Sequence, residues 1–161
     1  MAILQERHKK LAYYGIPSTG TAGYVLTRMK FFTKLTTNKN PIEHNVKYVD
    51  EASQRNDVVG YNTSIEYGFD DYANDSVLAD IANIHNEELT GDLAKRAILL
   101  VDTYTNKAIL RNYSVIPGTS GDDANIYTYS GSFKSCGEIT KGTVTTSDNY
   151  ATVTFTADSN T

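Results

Sequence analysis

The chain has 161 residues, enough for one domain with one sizeable core, and its 40% hydrophobic and 21% charged residues exclude a disordered or fibrous chain. A net charge of -4 argues against a dedicated nucleic-acid binder, no apolar run is long enough to span a bilayer, and the charged start MAILQERHKK lacks the apolar stretch of a secretion signal. Cys136 is the single cysteine, so no intrachain disulfide is possible, and 12 Tyr with only 3 Pro lean the composition towards pleated sheet.

In chain order, residues 1–23 read as an N-terminal arm and loop, punctuated by Gly15, Pro17, Gly20 and Gly23. Tyr24 to Thr33 reads as a strand with Val25, Met29 and Phe31 on one side. Thr36 to Pro41 is a polar loop, and Ile42 to Glu51 a second strand. The clearest alternation follows. Val59, Tyr61, Thr63, Ile65, Tyr67 and Phe69 share one parity, and Gly60, Asn62, Ser64, Glu66 and Gly68 share the other. Period two with one apolar face predicts a half-buried antiparallel strand.

The period then changes. Val77, Leu78, Ile81, Ile84 and His85 form a stripe at helical spacing, Asp75 or Ser76 can cap its start, and Gly91 can close its end. Ala97 to Tyr104 is apolar on both parities and reads as the central strand, with a hairpin turn at Thr105-Asn106-Lys107. Strand pattern continues over 108–116, a loop falls at 118–123, and alternation resumes over 124–138. The Thr/Ser-rich end reads as a closing hairpin about Ser147-Asp148-Asn149. The sum is a mainly β fold, a β-sandwich or barrel of about eight strands with one short α-helix, in a single domain over 1–161.

No residue set is poised for chemistry. His8, His44 and His85 have no His or Cys at metal-ligand spacing, and Asp70, Asp71 and Asp75 lack the order of a calcium loop. Neither a phosphate-cradling GxxxxGK nor a GxSxG elbow occurs. The expectation is a protein that is not an enzyme and takes no metal or cofactor.

Charge is unevenly placed. Residues 1–34 carry six Lys/Arg against Glu6, a balance of +5, and the rest carries nine against eighteen acids, a balance of -9. Asn56 to Ala94 holds no Lys or Arg and nine acids, among them Asp70, Asp71, Asp75, Asp80, Glu87 and Glu88. Such asymmetry within one small domain suits surfaces that meet between copies. The basic arm residues Arg7, Lys9 and Lys10 are the candidates to meet that acidic set on a neighbouring subunit.

The block from Lys47 to Ile81 resembles the major tail tube proteins of long-tailed phages and phage-tail-like particles. The likeness lies in an extended segment ending in Tyr48-Val49-Asp50-Glu51, then Val59, Tyr61, Ile65, Tyr67 and Phe69 in strand order, then an Asp70/Asp71/Tyr72/Asn74 turn into a short helix, with a buried strand ending near Val101-Asp102. It is strongest over 42–103. The resemblance implies a structural virion protein that assembles into stacked hexameric rings, a tube through which DNA passes without specific binding. It implies about four strands per subunit in a continuous inner barrel. About 24 strands at ~4.8 Å spacing and ~40° tilt give a barrel roughly 48 Å across and a lumen of ~35–40 Å. On this reading Gly60, Asn62, Ser64 and Glu66 face or approach the lumen. It also implies tape-measure, tail-terminator and distal tail proteins as partners, no membrane, assembly in the host bacterial cytoplasm and residence in the virion. Two other readings stay open: the inner tube of a contractile or secretion apparatus, and a monomeric β-sandwich binding module with aromatics exposed in one loop cluster.

Overall fold

The computed structural model describes residues 1–19 and 23–159. Gly20, read above as punctuation, lies outside them. Among the described residues are eleven strands and one α-helix: β1 (Lys10–Pro17), β2 (Tyr24–Arg28), β3 (Phe32–Asn38), β4 (Pro41–Val46), β5 (Arg55–Tyr61), β6 (Ser64–Asp70), α1 (Ser76–Glu87), β7 (Lys95–Asp102), β8 (Lys107–Ser120), β9 (Thr128–Ser135), β10 (Thr140–Thr145) and β11 (Thr154–Ala157). The fold is mainly β with one short helix, as its alternating patterns predict. Most strands form one antiparallel sheet in the order β2-β1-β7-β8-β9-β6-β3, with β10 and β11 continuing beside β8. The sheet curls into a half-barrel.

Alternation along the central strands builds two cores. On one face Tyr14, Ile98, Tyr113, Val115, Phe133, Ile65, Tyr67 and Phe69 meet the helix residues Val77, Leu78, Ile81 and Ile84. On the other, Tyr13, Leu99, Val101 and Ala108 are covered by Val144 and Phe155 of the closing hairpin. Each large apolar side chain so buried contributes about 1.5–3 kcal/mol. Asp75 starts α1 by accepting from the backbone N–H of Val77 at 3.0 Å and Leu78 at 3.1 Å. The helix ends at Glu88, which takes a left-handed conformation three residues before the expected Gly91; Gly91, also at positive φ (60°), opens a 3-10 turn.

Several boundaries correct the sequence reading. Residues 1–23 are not all arm and loop, because Lys10–Pro17 is an inner strand with Tyr13 and Tyr14 fully buried. Gly15 serves packing rather than a turn: a Cβ there would lie 2.9 Å from the ring of Tyr24 on the paired strand. The strand expected over 24–33 breaks into β2 and β3 at Phe31, whose φ is 66°, and β3 then runs through Thr36 and Thr37 of the expected loop. The strand expected over 59–69 is two strands in two sheets. β5 pairs with β4 in a separate ribbon, and β6 lies between β3 and β9. The segments β3-β4 and β5-β6 thus form one long hairpin, kinked where Asn62 N–H donates to Asn40 O at 3.1 Å and Asn40 Nδ2 returns a bond to Asn62 O at 3.1 Å.

Candidate assembly surfaces

One face of the sheet is polar. On β6, Ile65, Tyr67 and Phe69 point into the core, which leaves Ser64, Glu66 and Gly68 on the far side. Their partners in register are Asn38, Thr36 and Lys34 of β3 and Lys134, Ser132 and Ser130 of β9. Lys34 Nζ lies 2.7 Å from Glu66 Oε2. A depression of about 680 Å³ opens over this face, lined by Thr33, Thr119, Asp122, Thr128 and their neighbours. Gly131 makes the face possible from behind: a Cβ there would lie 2.7 Å from Tyr67 Oη and 2.3 Å from Ile116 O. Of the four residues read as lumen-facing, Ser64 and Glu66 lie on this polar face. Gly60 lies on the β4-β5 ribbon opposite Ile42, and Asn62 sits at the kink.

The ribbon pairs with no other strand and carries exposed apolar side chains on its sheet-proximal half. Ile42, Val58, Val59 and Tyr61 are exposed by about half or more, and Val49 at the tip is fully exposed. The register places Glu43 opposite Val58 and Pro41 opposite Tyr61, and Ile42 opposite Gly60, so apolar groups occur on both faces. The tip is closed by Arg55, whose Nε donates to Glu51 Oε2 at 2.9 Å and whose guanidinium lies 5.5 Å from the ring of Tyr48.

Two of the basic arm residues have partners within the chain. Arg7 Nη1 donates to Lys10 O at 2.8 Å and Nη2 to Leu35 O at 3.2 Å, which ties β1 to β3 within the chain. Lys10 Nζ lies 2.7 Å from Asp102 Oδ2, and its hydrogen bond is the main reason the Asp102 carboxyl titrates below its ordinary value. Lys9 remains exposed.

The acidic set divides too. Asp80 is half-buried and bound inside the chain: Arg96 Nε donates to its Oδ2 at 2.8 Å, Arg96 Nη2 to its Oδ1 at 3.3 Å, and Tyr14 Oη also donates to Oδ2. Burial and the adjacent Asp80 charge hold Tyr14 firmly as the neutral phenol. Asp75 is the helix cap. Asp71, Glu87 and Glu88 are exposed, Asp70 is partly so, and none of these four has an ion-pair partner among the described residues. Sequence reasoning missed Arg96, since a lone arginine beside an apolar strand carries no signal of the helix that packs over it. His85, expected on the helix stripe, sits against Tyr67 and Tyr129, with Nε2 2.6 Å from Tyr67 Oη, and burial lowers its pKa.

The sheet is left open. β2 pairs only with β1, and β3 only with β6, so each offers an unpaired edge. Among the described residues no group of three His, Cys, Asp or Glu is arranged to hold a metal, and no helix is long and apolar enough to cross a membrane.

No family model matches the chain, and no curated protein sequence does. Solved structures do. A chain in the C6-symmetric tail of an empty gene transfer agent particle superposes with a TM-score of 0.61 at 10% identity, covering 84% of this chain and 97% of that one. A chain in the six-fold symmetrised baseplate of the anti-feeding prophage gives a TM-score of 0.51 at 13% identity, covering 88% of this chain and 97% of that one. Open edges, a helix on one face of a curled sheet and near-complete coverage of both neighbours lead to one conclusion: this chain has the tail-tube-like fold of phage-tail-like particles.

Proposed function

We propose that the chain is a structural, non-enzymatic subunit of a tail-like tube. Copies close into six-membered rings, the rings stack, and the polar face of β3, β6 and β9 lines the bore. The observation that carries this reading is the unfinished sheet, with β2 and β3 as unpaired edges at its two ends. Unpaired edges invite uncontrolled pairing unless they are covered, and ring closure covers both. The two-faced apolar ribbon adds to this, because an isolated two-stranded hairpin is marginal in water and gains stability from packing on something else.

The bore would suit DNA in transit. On the polar face Lys34 is paired with Glu66, and Lys134 on β9 has no ion-pair partner among the described residues. Six copies carry 6 × -4 = -24 formal charge per ring. A wall poor in free cations gives little of the counterion release that would hold phosphates in place. Tape-measure, tail-terminator and distal tail proteins are the partners this role requires at the bore and ends of the tube, with assembly in the host cytoplasm and residence in the virion. The likeness to a baseplate chain of the anti-feeding prophage supports a second reading, the inner tube of a contractile apparatus, built on the same ring.

Negative-stain electron microscopy of the concentrated protein tests the role. Rings or hollow rods with a bore of ~35–40 Å are expected. Single copies only, at every concentration reached, would overturn it.

A further inference from the structure

A groove of about 770 Å³ separates β1 from β3 at the end of the half-barrel that α1 does not fill. Leu11, Ala12, Leu35, Leu100, Ala108 and Ile109 line it. Leu100 and Leu35 reach the core only in part, and Ile109 is 37% exposed. Across the groove the two strands are not paired. One side chain, Arg7, bridges them by its bonds to Lys10 O and Leu35 O.

Just before Arg7 stand Met1, Ile3 and Leu4, at 120%, 77% and 89% relative exposure. Two anchors hold the chain that follows this segment. Glu6 N–H donates to Tyr104 Oη at 3.3 Å, and Lys9 N–H donates back to Glu6 O at 3.1 Å to form the turn at Arg7–Lys9. Arg7 donates to two backbone carbonyls and Lys10 pairs with Asp102 within the chain, so what the arm leaves exposed is Lys9 and its apolar head.

We propose that the groove between β1 and β3 receives Met1–Leu4 of a second copy. The proposal rests on the ring reading and supplies one of its contacts. Each copy offers one segment and one groove, a head-to-tail arrangement that a rotation can close into a ring. The driving force is removal of three exposed apolar side chains and an apolar groove from water.

Two single-cysteine chains test it, Ile3→Cys and Ile109→Cys, each in a Cys136→Ser background, purified apart and then mixed under mild oxidation. A disulfide joining the two different chains is expected in the mixture. Deletion of residues 1–4 is expected to raise the concentration needed for assembly by at least roughly tenfold, the equivalent of about 1.4 kcal/mol. If Ile3→Cys/Ile109→Cys in one chain closes within dilute monomers and the mixture yields no inter-chain bond, the segment serves its own groove and the proposal is overturned. Tubes that form without the cross-link and without residues 1–4 also overturn it, and leave the ring reading standing. Absence of both rings and cross-link overturns the two together.

Discussion

Tyr14, Asp80 and Arg96 fasten helix to sheet through three side chains, and their neighbours set the sign of each contribution. Arg96 is 9% and Asp80 16% exposed at the side chain, so removal of one charge leaves the other poorly solvated. Breaking such a pair costs about 3–5 kcal/mol at full burial, and Arg96→Ala is expected near the lower end of that range by urea unfolding. Arg96→Ala with Asp80→Ala should cost less than the sum of the single changes; strict additivity would show that the two do not act together. His85 adds a pH dependence. Burial lowers its folded pKa below the ordinary ~6.5, so the unfolded chain binds the proton more readily. Stability is full above about pH 6.5 and falls as pH drops through that value towards the folded pKa. A series of melting temperatures from pH 7.5 to 5.5 should show the decline, and His85→Gln should flatten it. Asp102 and Asp148, both held below the ordinary carboxylate range, lose their contributions only in more acidic solution.

At the scale of elements, what was legible in the sequence was what rests on local period and local turn chemistry. The α1 stripe, its Asp75 cap and the turn at Asn106, whose φ is 57°, all lie within a few residues of the features that determine them. So does the closing hairpin, where Asp148 accepts from Thr146 Oγ1 at 2.9 Å and from Thr152 N–H at 3.0 Å. The breaks at Phe31 and Asn62 were not legible. Parity continues unbroken from Val59 to Phe69, yet the chain changes sheets at Asn62 because Asn40, twenty-two positions earlier, ties the kink. Of the bore candidates, Ser64 and Glu66 lie together on the sheet face, while the break puts Gly60 on the ribbon and Asn62 at the kink, a separation that parity alone does not show. Two predictions belong here. Asp75→Ala should cost about 1 kcal/mol of unfolding free energy through two lost capping bonds. Val58→Ser with Tyr61→Ser, both on the exposed ribbon, should change the stability of the isolated chain by about 0.5 kcal/mol or less, yet suppress assembly measured by light scattering. Loss of stability with normal assembly would show that the ribbon serves the fold alone.

At the scale of the whole molecule, charge placement read from sequence indicated contact between copies, but the structure redistributes the residues involved. Arg7, Lys10, Asp80 and Asp75 all have work inside the chain. Among what faces outwards are Lys9, the acids Asp70, Asp71, Glu87 and Glu88, the exposed apolar side chains of the ribbon, the apolar N-terminal head and the one-sided strands β2 and β3. Only tertiary packing decides which charges are left over, so no count along the sequence could have sorted them. The central claim concerns the edges. A cryo-electron microscopy reconstruction of assembled protein, at a resolution that separates strands, tests it most directly. The expected map has the margins of the β2-to-β3 sheet hydrogen-bonded to neighbouring copies around an open bore, with Ser64 and Glu66 on the inner wall. A map in which those margins stay bare, and copies touch only through α1 or loops, would contradict the account.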